Sequence, residues 1–122
     1  MKLMLSIKPK FVKAIFEGTK KFEFRTRIPQ KEVEEIIIYE TAPMSKVVGS
    51  FKVKSVRVGT PQEVLRVAKG YTGLTTSEYW QYYGGKDTAV AFEVGEINRL
   101  EEPKPLSDYG VKTAPQSYVY VD

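Results

Sequence analysis

The sequence predicts an α+β fold, a small mixed β-barrel of about six strands with two to three short helices. Three observations carry this expectation. Short stretches of alternating apolar and polar residues recur along the chain, and helical segments bounded by capping signals and glycine stops interrupt them at only two places. A parallel doubly wound sheet would need a helix between each pair of strands, so a mixed, mostly antiparallel arrangement fits better. At 122 residues the chain suits a single domain spanning 1–122, since domains commonly run to roughly 100–150 residues.

The first strand is Lys2 to Ile7, where Leu3, Leu5 and Ile7 alternate with Lys2, Met4 and Ser6. Pro9 to Glu17 then reads as a helix. Proline suits the first turn, Phe11, Val12, Ile15 and Phe16 fall on one face, and Gly18 can adopt the left-handed conformation that ends it. From Lys21 alternation returns, with Phe22 and Phe24 on one side and Lys21, Glu23 and Arg25 on the other. Pro29 to Lys31 marks a loop, and Glu34 to Tyr39 has the β-branched run of a buried strand. After the Thr41–Ser45 connection, Lys46 to Gly59 forms a long strand in which Gly49 marks a bulge or a close backbone approach. Thr60-Pro61-Gln62-Glu63 is a capping-box start for a helix that stops at Gly70. Thr76 to Tyr83 reads as another short helix before Gly84-Gly85, its aromatics packing on a sheet or offering a surface for stacking. Thr88 to Ile97 is a further strand; the tail is loop-rich through Pro103, Pro105 and Pro115, and Tyr118 to Val121 closes as the last strand.

Composition narrows the chemistry. The 42% hydrophobic and 28% charged content is that of an ordinary folded protein. With neither cysteine nor histidine, disulfides, a thiol nucleophile, a Ser-His-Asp triad and Cys/His zinc sites are excluded. Asp is confined to Asp87, Asp108 and Asp122, and no acidic spacing matches a calcium loop, so neither metal nor cofactor is expected. The apolar run Met1–Ile7 is too short for a signal peptide or a membrane span, and a cytoplasmic location is the default expectation.

Charge is unevenly placed. The net charge is +4, yet residues 1–31 hold nine Lys/Arg against Glu17 and Glu23, a balance of +7, leaving −3 for the rest. A basic end is the usual footprint of a polyanion partner, above all nucleic acid; the plain alternative is that the lysines keep a small protein soluble. Within it, Gly18-Thr19-Lys20-Lys21-Phe22-Glu23-Phe24-Arg25 puts cations beside a carboxylate in one turn and one strand. Facing a cleft, these residues would offer phosphate-binding groups next to an acid or base; facing water, they are a solvated strand face.

Four segments in order, Leu5-Ser6-Ile7-Lys8-Pro9, Gly18-x-Lys20-x-x-Glu23-x-Arg25, Ile38-Tyr39-x-Thr41-Ala42-Pro43 and Val47-Val48-Gly49-x-Phe51, resemble an ASCH domain of the PUA-like superfamily, and Pro115 to Tyr120 resembles the close of its prokaryotic members. The resemblance implies a curved PUA-like barrel with a cleft walled by the Gly-Lys-Arg strand, in a superfamily that often binds RNA or a nucleobase. Some bacterial members are amidohydrolases of acylated cytidine that use the signature lysine, a threonine three residues later and a distant glutamate; others are ribonucleases. Lys20 stands at the lysine, but Glu23 replaces the threonine, and Glu78 answers to the distant acid only by its order in the chain.

The leading expectation is therefore an RNA- or nucleotide-binding module. Lys8, Lys20, Arg25 and Arg27 would meet phosphates, and Glu23, Tyr39 and Thr41 a base. The alternative is a hydrolase of a modified nucleoside or of RNA, with a desolvated Lys20 as base and Glu23 as its partner. A third is a ligand-sensing or protein-interaction module. The expected partner is RNA, a nucleotide or a nucleoside, with no membrane role.

Overall fold

Strand β1 (Lys2–Ile7) runs through Lys8, the N-cap residue, into helix α1 (Pro9–Glu17) in the computed structural model, which describes residues 1–121. Val12 and Ile15 are buried beneath the helix, and Gly18 ends it at φ 85°. Strand β2 (Phe22–Arg25), β3 (Glu35–Glu40) and the long β4 (Lys46–Gly59) follow. Helices α2 (Pro61–Ala68) and α3 (Thr76–Tyr83) precede β5 (Ala89–Lys104); a 3₁₀ turn at Leu106–Tyr109 leads to β6 (Tyr118–Val121).

The six strands form one curled sheet, a half-barrel, in the order β2-β5-β4-β3-β1-β6. Only β1 and β3 are parallel, joined by a crossover through α1 and β2; the other neighbours are antiparallel. The half-barrel is open, with β2 and β6 at its two edges.

Both faces of the sheet are covered. Leu3, Leu5, Ile7, Ile36, Ile38, Phe51 and Phe92 pack against Val12 and Ile15 of α1. On the reverse face, Met4, Ile37, Tyr39, Val47 and Val121 pack with Leu106 and Tyr109 of the 3₁₀ turn. At the β2 end, Phe22, Phe24, Ala89 and Ala91 pack under Val64, Ala68, Tyr79 and Tyr83 of α2 and α3.

Strand β5 extends seven residues beyond the expected Ile97. Past Val94, whose N–H donates to the Lys21 carbonyl at 2.9 Å, it has β4 on one side only, and between the pairs Gly49↔Arg99 and Val47↔Lys104 it loops out opposite Val48. Pro103 is tolerated in that irregular segment because no regular ladder there needs its missing N–H. The same close approach explains Gly49: a Cβ there would lie 2.5 Å from the Asn98 carbonyl oxygen. No helix among the described residues is long and apolar enough to cross a membrane.

Candidate functional site

The sequence between α1 and β2 positions the polar groups. After the left-handed turn at Gly18, Lys20 pairs with Thr72 in an isolated antiparallel bridge, and the Lys21 N–H donates to the Tyr71 carbonyl at 2.8 Å. The loop after α2 thereby wraps the lysine. Gly73, at φ 71°, makes this possible: a Cβ there would come within 2.8 Å of the Lys20 Cβ, Cγ and Cδ. In β2, Glu23 lies opposite Phe92 and Arg25 opposite Val90, so both project to the sheet face covered by α1, while Phe22 and Phe24 turn the other way.

Three charges converge. Lys20 is 2% exposed and Glu23 5% exposed. The Lys20 Nζ lies 3.7 Å from Glu23 Oε1 and donates to the Thr72 carbonyl at 2.7 Å. Arg25 Nη2 donates to Glu23 Oε2 at 2.9 Å and to the Ser6 carbonyl at 3.0 Å. Arg25 Nε is buried and has no protein partner. Phe24 and Phe11 place their rings 4.7 and 5.2 Å from the Lys20 ammonium. Burial lowers the proton affinity of Lys20 below its usual value; Glu23 opposes the shift and Arg25 reinforces it.

These groups form one wall of a cleft of about 370 Å³. Ser6, Lys8 and Phe11 close one side, and Leu74, Gln81 and Tyr82 the other, with Lys8 exposed. The Tyr82 hydroxyl donates to the Phe24 carbonyl at 3.2 Å and that of Tyr83 to the Arg25 carbonyl at 2.9 Å, fastening α3 to β2. Glu78 pairs with Lys10 at the rim and completes a capping box with Thr75. Its carboxyl is held down to about 2, first by the Lys10 hydrogen bond and then by the Thr75 N–H.

The structure thus brings together Lys8, Lys20, Glu23, Arg25 and Glu78, and leaves three expected residues outside the lining. Arg27 is exposed in the loop after β2. Tyr39, 7% exposed, points into the reverse-face core, because it shares the alternation of Ile37 and not that of Ile38. Thr41 sits in the turn after β3, its N–H donated to the Ile7 carbonyl at 3.0 Å. Lys20 also differs from the expected phosphate cation: its ammonium is engaged inside the protein. Glu78, Gln81 and Tyr82 recur at the spacing of one helix face; Tyr82 is among the aromatics that the sequence offers for stacking, whereas Gln81 is not among the expected residues although the same spacing points to it. Phe11 and Ser6 carried no such signal.

Residues 5–101 match the family model of the ASCH domain. The chain is 31% identical over 120 residues to the large ribosomal subunit protein uL22 of Ureaplasma parvum serovar 3, covering 98% of the chain and 39% of that protein. It is 32% identical over 90 residues to an ASCH domain-containing ribonuclease of Zymomonas mobilis, covering 73% of the chain and 61% of the relative. The chain therefore spans less than two thirds of the length of either relative. The crystal structure of ASCH from Zymomonas mobilis superimposes with a TM-score of 0.88 at 27% identity, over 99% of this chain and 87% of that one.

Proposed function

Because this chain belongs to the ASCH domain family, we propose that its cleft binds a single nucleotide within a strand of RNA. The observation that carries this reading is the assembled group of Lys20, Glu23 and Arg25 in a cleft of nucleotide-compatible size, with one buried guanidinium donor, Arg25 Nε, left without a protein partner. The Arg25 side chain is 20% exposed at this cleft, which leaves part of its guanidinium within reach of a ligand acceptor. Glu23 supplies carboxylate lone pairs for a base amine, Phe11 and Tyr82 supply aromatic surface, and exposed Lys8 at the mouth suits a phosphate. The likeness to the Zymomonas ribonuclease supports RNA as the polymer.

The test sets Arg25→Ala against Lys13→Ala. Lys13 lies on α1 outside the cleft, paired with Glu17. Affinity for single-stranded RNA, measured by fluorescence anisotropy, is expected to fall by roughly 10- to 100-fold for Arg25→Ala, the worth of a charged hydrogen bond, and by less than about twofold for Lys13→Ala. Equal losses would show that bulk charge alone matters.

RNA hydrolysis is the second reading, and the lowered proton affinity of Lys20 favours it. A neutral amine there could accept a proton from an attacking hydroxyl while Arg25 balances charge on the phosphate. RNA cleavage by the wild type that disappears in Lys20→Met with binding retained would replace the first reading by the second.

A further inference from the structure

A second basic surface lies next to the cleft and has no part in the reading above. Lys21, Lys54, Arg57 and Tyr71 line a groove of about 480 Å³, together with Val67 and Glu93. Its residues come from separate elements: Lys21 precedes β2, Lys54 and Arg57 stand on β4, Val67 is on α2 and Tyr71 follows it. Lys54 and Arg57 are three apart, a spacing that sends side chains to opposite faces of a regular strand. The register shift between Val53↔Val94 and Ser55↔Glu93 makes Lys54 an extra, bulged residue, and bulges re-aim side chains. Both cations accordingly line the same groove.

The charges there are poorly matched. Among the described residues, Lys21 and Arg57 have no carboxylate within ion-pair distance. Lys54 lies 4.0 Å from Glu93 Oε2, while Glu93 Oε1 accepts the Ser55 hydroxyl at 2.6 Å. Leaving aside Lys20, whose ammonium is engaged by Thr72 and Glu23, three cations thus face one carboxylate. The Lys21 ammonium sits 4.5 Å from the centre of the Tyr71 ring, and Tyr71 remains 48% exposed. Cations interleaved with an exposed aromatic ring and an exposed valine are what a phosphate and a stacked base require. Lys20 lines both this groove and the cleft, so the two adjoin at the start of β2.

We propose that the groove of Lys21, Lys54, Arg57 and Tyr71 is a second subsite, taking the phosphate and base of a nucleotide further along the RNA strand whose other nucleotide occupies the cleft. The proposal rests on the reading of the cleft as an RNA site. It makes the protein a reader of strands, not of free nucleotides.

The experiment compares uridine monophosphate with an oligouridylate of roughly ten nucleotides. It uses the wild type, Arg25→Ala, the double variant Lys54→Ala/Arg57→Ala and the charge-matched Lys104→Ala/Lys112→Ala, whose residues lie outside both lined surfaces. The Lys54/Arg57 variant is expected to bind the oligomer about tenfold more weakly, with a log–log salt slope shallower by about 1.4, or about 0.7 for each phosphate no longer neutralised. It should leave monophosphate affinity within about twofold, whereas Arg25→Ala weakens both ligands. Tyr71→Ala should weaken the oligomer by about fivefold without changing the slope. Oligomer binding that Arg25→Ala weakens but Lys54→Ala/Arg57→Ala does not would overturn the second subsite alone. An equal loss in the Lys104/Lys112 pair would overturn it as well, by reducing the effect to bulk charge. A wild type that binds no RNA at low salt would overturn the cleft reading itself.

Discussion

A lysine ammonium taken almost fully out of water is the costliest group in this protein, and Glu23 is what makes it tolerable. Desolvation of buried ions is offset only by close counter-charges and hydrogen bonds, so removing one partner costs more than the pair is worth. Glu23→Ala would leave Lys20 and Arg25 facing each other with carbonyl acceptors only; a loss of about 3–5 kcal/mol is expected by urea denaturation. Lys20→Met should be milder, since Glu23 keeps Arg25 and the methionine stem fills the space that Gly73 opens. The two also differ in pH dependence. Folding lowers the Lys20 pKa from its unfolded value of 10.5, so the unfolded chain binds more protons and stability rises with pH as the folded protein sheds its proton first. The wild type should therefore gain stability relative to Lys20→Met as pH climbs from neutral toward 10.5. Parallel stability curves for the two proteins would contradict this account.

Helix α3 carries one wall of the cleft and is only eight residues long, too short to persist without its cap and its packing. The Thr75 hydroxyl accepts from the Glu78 N–H at 3.0 Å, and Glu78 returns the bond to the Thr75 N–H at 3.0 Å. Thr75→Ala is expected to cost about 1 kcal/mol of stability in thermal or urea unfolding. Glu78 adds an acid-dependent part. Its folded pKa of about 2 lies below the unfolded 4.5, so its stabilisation is present above 4.5 and is lost as pH falls toward 2. Lys10→Ala should flatten that part of the curve, because the Lys10 hydrogen bond is the main cause of the shift. Elements with their own punctuation were legible from sequence: α1 from Pro9 to Gly18, β4 from Lys46 to Gly59, and α2 from its Thr60 cap. The far half of β5 was not, because Glu101, Glu102 and Pro103 read as loop, and only the pairs Arg99↔Gly49 and Lys104↔Val47 on either side of them tie that stretch to β4. The site was half legible for a related reason. The family signature sets Lys20, Glu23 and Arg25 in one segment, whereas alternation alone puts Lys21 beside Glu23 and Arg25, and the structure turns Lys21 into the neighbouring groove. Strands β1 and β3 are buried on both faces, so alternation could not say that Tyr39 turns away from the cleft.

Across the whole molecule the basic end is less free than its composition implies. Lys2, Lys10, Lys13, Lys20 and Arg25 each have a carboxylate within ion-pair distance, and the Lys31 ammonium lies over the Tyr120 ring. What remains for a polyanion is a handful of cations at the mouth of the cleft and along the adjoining groove, enough to neutralise three or four phosphates. A salt titration of single-stranded RNA affinity should then give a log–log slope of about −2 to −3; a flat titration would exclude phosphate binding. The site's placement on β2 has one more effect. A terminal strand ordinarily offers its unpaired backbone to a neighbouring molecule as a template for sheet growth. Here the carbonyls of Phe24 and Arg25 already accept the tyrosine hydroxyls of α3, and the Tyr71 carbonyl takes the N–H just before the strand. Part of the margin that presents the charged cluster is thereby taken up, so a chain approaching there meets tyrosine side groups where a bare edge would offer carbonyls.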